Sequence, residues 1–332
     1  MREKLVHPIE AAGVTVPNNL WFAPLAGYSY HALRVTAKKH GAGLTYTEMI
    51  SVEGVVRGDK RTMRMAAPED GNTAVQLFGG AEPEKFHNAA KIMMREFGYK
   101  IVDINFGCPV RKVIRIGAGS CLLKEPSAMG EIVRAVKETG AVVSAKIRAG
   151  YSCVNIEKTI PIIDDAGADI IIVHPRLATQ MFGGAADWEL ISRAREMTGR
   201  ILIGNGDIDS PETALARLRE SKVDGIMLGR AAIAKPYLFR LIADLDATGS
   251  YVSPSLPEVR DGLIEFARLF IATSNARSMS PLRSAVLSTV KSMGNSREVR
   301  GKVSSITTLD ELIDALDGWH EREGYPHETV TQ

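Results

Sequence analysis

A TIM barrel, eight parallel strands alternating with helices, followed by a small all-helical domain, is the fold class that the sequence predicts. Short apolar segments rich in β-branched residues recur eight times between residues 20 and 228. Their mean spacing of about 29 residues is one strand plus one crossover helix. Segments such as Ile170-Ile171-Ile172-Val173 are apolar on both faces, as buried parallel strands are. The pattern stops near residue 247, and the rest of the chain keeps helical spacing only.

The eight predicted strands are 20–24, 44–49, 74–78, 101–105, 142–148, 170–174, 201–205 and 224–228. They assign residues 1–247 to the barrel. Ala247-Thr248-Gly249-Ser250 and Ser253-Pro254-Ser255-Leu256-Pro257 then break the repeat. Apolar positions such as Leu263, Phe266, Leu269 and Phe270, and later Leu309, Leu312, Ile313 and Leu316, predict a helical domain over 254–323. Residues 324–332 are expected to be a flexible tail.

At 332 residues the chain is long enough for such a barrel with an appendage. No stretch approaches the roughly 18 apolar residues of a membrane span, and the N-terminus carries no signal-peptide pattern, so a soluble cytoplasmic protein is expected. Cys108, Cys121 and Cys153 are far apart and form no Cys-x-x-Cys pair, which argues against a disulfide framework, a metal site or an iron–sulfur cluster. Redox work would need an organic cofactor. The net charge of +2 says little about partners, because charge can be segregated within a balanced total.

In a barrel the chemistry sits at the C-terminal strand ends. The strand 101–105 ends there in Asn105-Phe106-Gly107-Cys108-Pro109, where Gly107 is expected to free the turn and Pro109 to fix its exit, holding a thiol rigidly. Other strand ends carry polar pairs spaced by two: Lys146 and Arg148, His174 and Arg176, Asn205 and Asp207. Both members of each pair face the same way in an extended chain. Gly204-Asn205-Gly206-Asp207 and Gly229-Arg230 come after the seventh and eighth strands, where barrels commonly hold phosphate. Lys146 by itself fits a flavoenzyme, a Schiff-base aldolase or a salt bridge to Glu48 or Asp103.

Ala23-Pro24-Leu25-Ala26-Gly27, Thr47-Glu48-Met49, Gln76-Leu77-Phe78-Gly79, Asp103-Ile104-Asn105-Phe106-Gly107-Cys108-Pro109, Gly117-Ala118-Gly119-Ser120, Lys146-Ile147-Arg148, Gly204-Asn205-Gly206-Asp207-Ile208 and Asp224-Gly225-Ile226-Met227-Leu228-Gly229-Arg230 together resemble the bacterial tRNA-dihydrouridine synthases, in order along the whole barrel. The resemblance implies an FMN-dependent oxidoreductase that reduces the C5–C6 bond of particular uridines in tRNA, with NADPH recharging the flavin. By position, Pro24, Leu25, Ala26 and Gln76 would contact the flavin ring, Lys146 its N1/O2 edge, and His174, Asn205, Asp207, Gly229 and Arg230 would hold the cofactor. Cys108 would give a proton to C5 while hydride from flavin N5 reaches C6. Asn105, Arg148 and Arg176 are placed with the uridine. Tyr30 departs from the common Asp, Pro175 from the common Gly, and the segment 282–291 lacks an aromatic pair often present in the helical domain.

Cys121 and Cys153 are expected to be packing residues. Three cations, Arg111, Lys112 and Arg115, lie in a loop expected over 110–120, which could close over substrate. Between residues 268 and 302 stand Arg268, Arg277, Arg283, Lys291, Arg297, Arg300 and Lys302 against the single acid Glu298, a segregation suited to a phosphate backbone. Arg283, Lys291, Arg297 and Arg300 are the expected tRNA contacts. No membrane and no obligatory protein partner is expected. Two rival readings are a flavin barrel acting on a free pyrimidine, akin to dihydroorotate dehydrogenases, and an RNA-binding module with an inert barrel.

Overall fold

The computed structural model describes residues 4–66, 71–274, 278–293, 296–319 and 329–331. A short hairpin, β1 (Ile9–Ala11) and β2 (Val14–Val16), precedes β3 (Leu20–Phe22), β4 (Thr45–Tyr46), β5 (Ile50–Ser51), β6 (Thr73–Phe78), β7 (Ile101–Phe106), β8 (Val142–Gly150), β9 (Ile170–Leu177), β10 (Ile201–Asn205) and β11 (Gly225–Leu228). All pairs from β3 onward in this series are parallel, and their order runs β3-β11-β10-β9-β8-β7-β6-β4, with β5 also on β6. A bridge between Trp21 and Leu44, with the Phe22 N–H donating to the Leu44 carbonyl at 2.8 Å, joins the two ends into a barrel. All eight predicted strands are present.

Strand pleating sorts the side chains. Along β7, Val102, Ile104 and Phe106 pack outward against the helices, whereas Ile101, Asp103 and Asn105 fall on the opposite, inner face. Along β8 the same alternation sends Val143, Ala145 and Ile147 outward and Val142, Ser144, Lys146 and Arg148 inward. The lower lumen is apolar, filled by Trp21, Tyr46, Ile101, Val142, Ile170, Ile172 and Ile203. Its upper end is polar.

Two elements before residue 52 differ from expectation. The strand predicted over 44–49 is broken between β4 and β5, because the Thr47 hydroxyl accepts from the Gln76 N–H at 3.0 Å and the Glu48 carboxylate accepts from the Gly27 N–H at 2.5 Å. Side chains there take over backbone pairing. The hairpin turns through Ala12 and Gly13, both at positive φ, and its Ile9, Ala11 and Val16 join the apolar lower lumen.

Helices Leu256–Thr273, Ser280–Ser292, Arg297–Ser305 and Leu309–Asp317 form a small helical region. The first opens on a capping box of Ser255 and Glu258 and packs on the barrel helix His31–Lys39. Tyr30, at the start of that barrel helix, stacks on Phe266 at 6.2 Å and meets Phe270 edge-on at 5.0 Å. Helix Ser280–Ser292 packs on the short helix Arg230–Ala234, with Thr289 Oγ1 donating to the Ile233 carbonyl at 3.3 Å. Of the tail expected to be flexible, Thr329–Thr331 is instead a strand, β13, paired antiparallel with β12 (Ser250–Val252), and the rest lies outside the described residues. Among the described residues no helix is long and apolar enough to cross a membrane.

Candidate active site at the barrel mouth

The polar end of the lumen opens into a cleft of about 860 Å³, within the size range of cofactor sites. Pro24, Leu25 and Ala26 after β3, Gln76 on β6, Asn105 and Cys108 on and after β7, Lys146 and Arg148 on β8, His174 on β9, Asn205 and Asp207 on and after β10, and Gly229 and Arg230 after β11 all line it. Residues singled out from seven of the eight strands thus face one space. Arg176 does not line it, and neither do Arg283, Lys291, Arg297 and Arg300.

Cys108 is held from both sides. Asn105 Oδ1 accepts from the Gly107 N–H at 3.1 Å and from the Cys108 N–H at 2.9 Å, while the Cys108 carbonyl accepts from the Ser120 N–H at 3.0 Å. The freedom assigned to Gly107 belongs elsewhere: an added Cβ at Gly107 would make only ordinary contacts, the nearest at 3.5 Å. Gly119 is the demanding glycine, at φ +61° with a hypothetical Cβ 2.8 Å from the Cys108 carbonyl oxygen. That close packing docks residues 110–120 as helix Arg111–Ile114 and the 3₁₀ turn Gly119–Lys124. Burial pushes the Cys108 thiol up, against a hydrogen bond from the Val110 backbone and the charge of Arg148, so it stays protonated at neutral pH.

Below the thiol runs a chain of buried polar groups. Asp103 Oδ1 accepts from Ser144 Oγ at 2.5 Å and Oδ2 from Gln76 Nε2 at 2.6 Å; Gln76 Oε1 accepts from Asn105 Nδ2 at 2.8 Å. Burial raises the Asp103 carboxyl to about 7, offset by those hydrogen bonds and by Lys146. Burial likewise lowers Lys146 to about 8, with the Asp103 charge opposing the shift. Lys146 Nζ donates to Asn205 Oδ1 at 3.0 Å, and Asn205 Nδ2 donates to the Met227 carbonyl at 2.7 Å.

The cations differ in what they can still do. Arg148 Nε donates to the Gly107 carbonyl at 2.9 Å and Nη1 to the carbonyls of Leu177 and Met181 at 2.9 and 2.8 Å, so it braces the cysteine turn from the cleft wall. Arg176, expected beside the substrate, has a side chain only 2% exposed. Its guanidinium grips Asp207 bidentately at 3.0 and 2.6 Å and donates to the carbonyls of Gly183 and Gly184. Arg176 therefore supports Asp207 rather than reaching a ligand. Burial raises the Asp207 carboxyl, but hydrogen bonds from Arg176 and the Ala186 N–H hold it below the usual carboxylate range. An anionic Asp207 cannot donate to phosphate; its Oδ1 instead accepts from Arg230 Nη2 at 3.3 Å. His174 is driven down to about 2 by burial, then by Lys146, Arg148, Arg176 and Arg230, and is neutral. Lys146, Arg148 and Arg230 on the cleft wall, with Arg176 behind them, outnumber Asp207 and Asp209 on the wall and the buried Asp103, a balance that favours an anionic ligand.

Phe182, Tyr28 and Ser288 also line the cleft and were not singled out from the sequence, and Met49, quoted within a motif but given no role, lines it too. Phe182 is 51% exposed, with the guanidinium carbons of Arg230 and Arg148 at 5.0 and 5.7 Å from its ring centre. The Gly183-Gly184 pair behind it was the available signal. Ser288 comes from helix Ser280–Ser292, so the helical region contributes to the same cleft. In that region Arg283 Nη1 donates to the Ile306 carbonyl at 2.9 Å, and Lys302 pairs with Glu298 at 2.9 Å; Lys291, Arg297 and Arg300 are exposed. Arg277 lies outside the described residues. Cys121 is half-buried, whereas Cys153 is exposed and is not a packing residue.

The dihydrouridine synthase family model matches residues 21–321. A protein of Aquifex aeolicus named probable tRNA-dihydrouridine synthase is 32% identical over 307 residues, 91% of this chain and 96% of that one. The tRNA-dihydrouridine synthase B of Pectobacterium carotovorum is 37% identical over 260 residues, 76% of this chain and 79% of that one. Among solved structures, histamine dehydrogenase from Rhizobium sp. 4-9 aligns with a TM-score of 0.58 at 14% identity, over 83% of this chain and 52% of that one. A 2-naphthoyl-CoA reductase aligns with a TM-score of 0.54 at 13% identity, over 74% and 52%. At those identities the likeness is one of barrel architecture.

Proposed function

The chain belongs to the dihydrouridine synthase family, and from that premise we propose that it is a tRNA-dihydrouridine synthase, reducing particular uridines in tRNA to 5,6-dihydrouridine with FMN and NADPH. The carrying observation is a protonated, rigidly seated thiol, Cys108, at the edge of one large cationic cleft.

The cleft fits FMN. Its residues include the half-exposed guanidinium of Arg230 and Gly229, where a Cβ would meet nothing nearer than Ala23 Cβ at 3.9 Å, leaving room for a phosphate. Pro24, Leu25, Ala26 and Gln76 would hold the ring, Lys146 would set a cation against it, and neutral His174 with Asn205 would complete the wall. Bound there, the flavin would supply hydride to uracil C6 after reduction by NADPH. Asp207 would orient Arg230 rather than touch the phosphate. Arg148 keeps the cysteine turn in place and presents charge toward the substrate side. Cys108 would deliver a proton to C5; a thiol raised above its usual range holds that proton at neutral pH until the transition state draws on it.

Purified protein should be yellow, and Cys108→Ala should keep both its FMN and its reduction by NADPH. Single-turnover oxidation by tRNA lacking dihydrouridine should slow by about 10²- to 10⁴-fold in that variant, the usual range for a lost general acid. An unchanged rate would remove Cys108 from the reaction, and equal turnover of free uridine would favour the free-pyrimidine reading.

A further inference from the structure

We propose that Asp103 is a positioning residue: with one carboxyl oxygen engaged by Ser144, the other is the acceptor that fixes the direction of the Gln76–Asn105 amide pair and so seats the Cys108 turn. The inference rests on the role just given to Cys108, but its geometry stands independently. Asp103 is fully buried, two residues from Asn105 on the inner face of β7 and in register with Gln76 on β6. Three polar side chains are therefore stacked by strand register alone. With Ser144 engaging Oδ1, Oδ2 is the acceptor that faces Gln76 whether or not Oδ1 carries a proton, so the Gln76 side chain turns its NH₂ toward Asp103 at 2.6 Å. Its carbonyl oxygen then faces Asn105 and accepts from Nδ2 at 2.8 Å, which leaves Asn105 Oδ1 as the group aimed at the turn. That oxygen accepts from the N–H groups of both Gly107 and Cys108.

Reversing either amide would set oxygen against oxygen at Asp103, or NH₂ against two N–H donors at the turn. Both ends of the chain demand the same direction, and in a buried site each unpaired group costs its full desolvation. Ser144 Oγ, donating to the other carboxylate oxygen at 2.5 Å, keeps Asp103 from rotating out of line. Asp103 is thus set apart from the cleft-lining residues: it does not line the cleft, and it reaches the cysteine turn through Gln76 and Asn105.

The test reads the thiol directly. In a Cys121→Ser, Cys153→Ser background, iodoacetamide alkylation of Cys108 is tracked from pH 6 to 10 in the parent, Asp103→Ala and Asp103→Asn. Asp103→Ala should change the alkylation rate by about tenfold and shift the pH midpoint, because the turn loses its anchored acceptor; Asp103→Asn, which can still accept from Gln76 while donating to Ser144, should stay within about threefold of the parent. Gln76→Leu cuts the chain one link nearer the cysteine and should reproduce the Asp103→Ala shift, which keeps the test decisive if Asp103→Ala does not fold. Rates and midpoints unchanged in the folded variants would overturn the proposal. The readout is thiol alkylation, not uridine reduction or flavin turnover, so a thiol shift in a protein that cannot reduce tRNA would sink the functional reading and leave the positioning role intact.

Discussion

Gly119 is the residue whose side chain would obstruct the site most directly, since the atom it would meet is the main-chain oxygen of Cys108 rather than a flexible side chain. Gly119→Ala should lose about 1–3 kcal/mol by thermal unfolding and slow uridine reduction while FMN content stays constant. A variant as stable and as fast as the parent would contradict this packing. Two buried groups also give stability opposite slopes with pH. Asp103 is raised from 3.8 to about 7, so its contribution is complete below 3.8 and is lost as the pH climbs through 7. His174 is lowered from 6.5 to about 2, so its contribution is present above 6.5 and is lost as the pH falls. In denaturant titrations between about pH 4 and 6.5, Asp103→Asn should gain on the parent as pH rises and His174→Gln should gain as pH falls. A pH-independent difference for either variant would show that its group titrates normally. The sequence made these groups visible because pleating repeats every two residues, so Asn105, Lys146, Arg148 and His174 could be placed in one mouth. It did not show which were already engaged: Arg176 is paired with Asp207 on the following unit, a pairing that no local spacing encodes.

At the scale of elements, the strands were legible wherever a segment is buried on both faces, and the failures have local causes. The break in the second strand depends on Thr47 and Glu48 finding Gln76 and Gly27, partners set by the closed barrel rather than by propensity. The β1–β2 hairpin has Ala12 at a positive φ where Asn, Asp or Gly is usual, so its turn carries a weak signature. Tyr30 illustrates the reverse case, a departure noticed in the sequence whose reason is an interface. Its ring joins the barrel helix His31–Lys39 to Phe266 and Phe270 on helix Leu256–Thr273. Tyr30→Ala should cost about 2–4 kcal/mol and should raise hydrogen exchange in Leu256–Thr273 before it does so in β7 and β8, whereas Tyr30→Phe should stay within about 1 kcal/mol. Exchange that rises uniformly over barrel and helices would mean that Tyr30 does not hold this interface.

For the whole molecule, the question is how a uridine inside a folded tRNA reaches a cleft recessed at a barrel mouth. Extraction from its stack is unfavourable by a few kcal/mol, so interactions elsewhere must offset it. The basic segment within 268–302 belongs to the region that supplies Ser288 to the cleft, which puts a group of cations on the unit beside the opening. Its cations are not equivalent, however. Arg283 caps the Ile306 carbonyl and Lys302 is paired with Glu298, whereas Lys291, Arg297 and Arg300 are exposed. Neutralising Lys291, Arg297 and Arg300 together should weaken tRNA binding and flatten its dependence on salt, by a log–log slope of about 0.7–0.9 for each phosphate no longer neutralised, with FMN content and NADPH oxidation unchanged. Arg283→Ala should instead lower the melting temperature, because it leaves a helix-end carbonyl without its guanidinium partner. Filter-binding titrations across a salt series, set beside flavin absorbance, separate the outcomes: a triple variant with the parent's affinity and slope would place the tRNA-binding surface elsewhere on the protein, and the exposed Arg111, Lys112 and Arg115 beside the cysteine turn would be the next cations to replace.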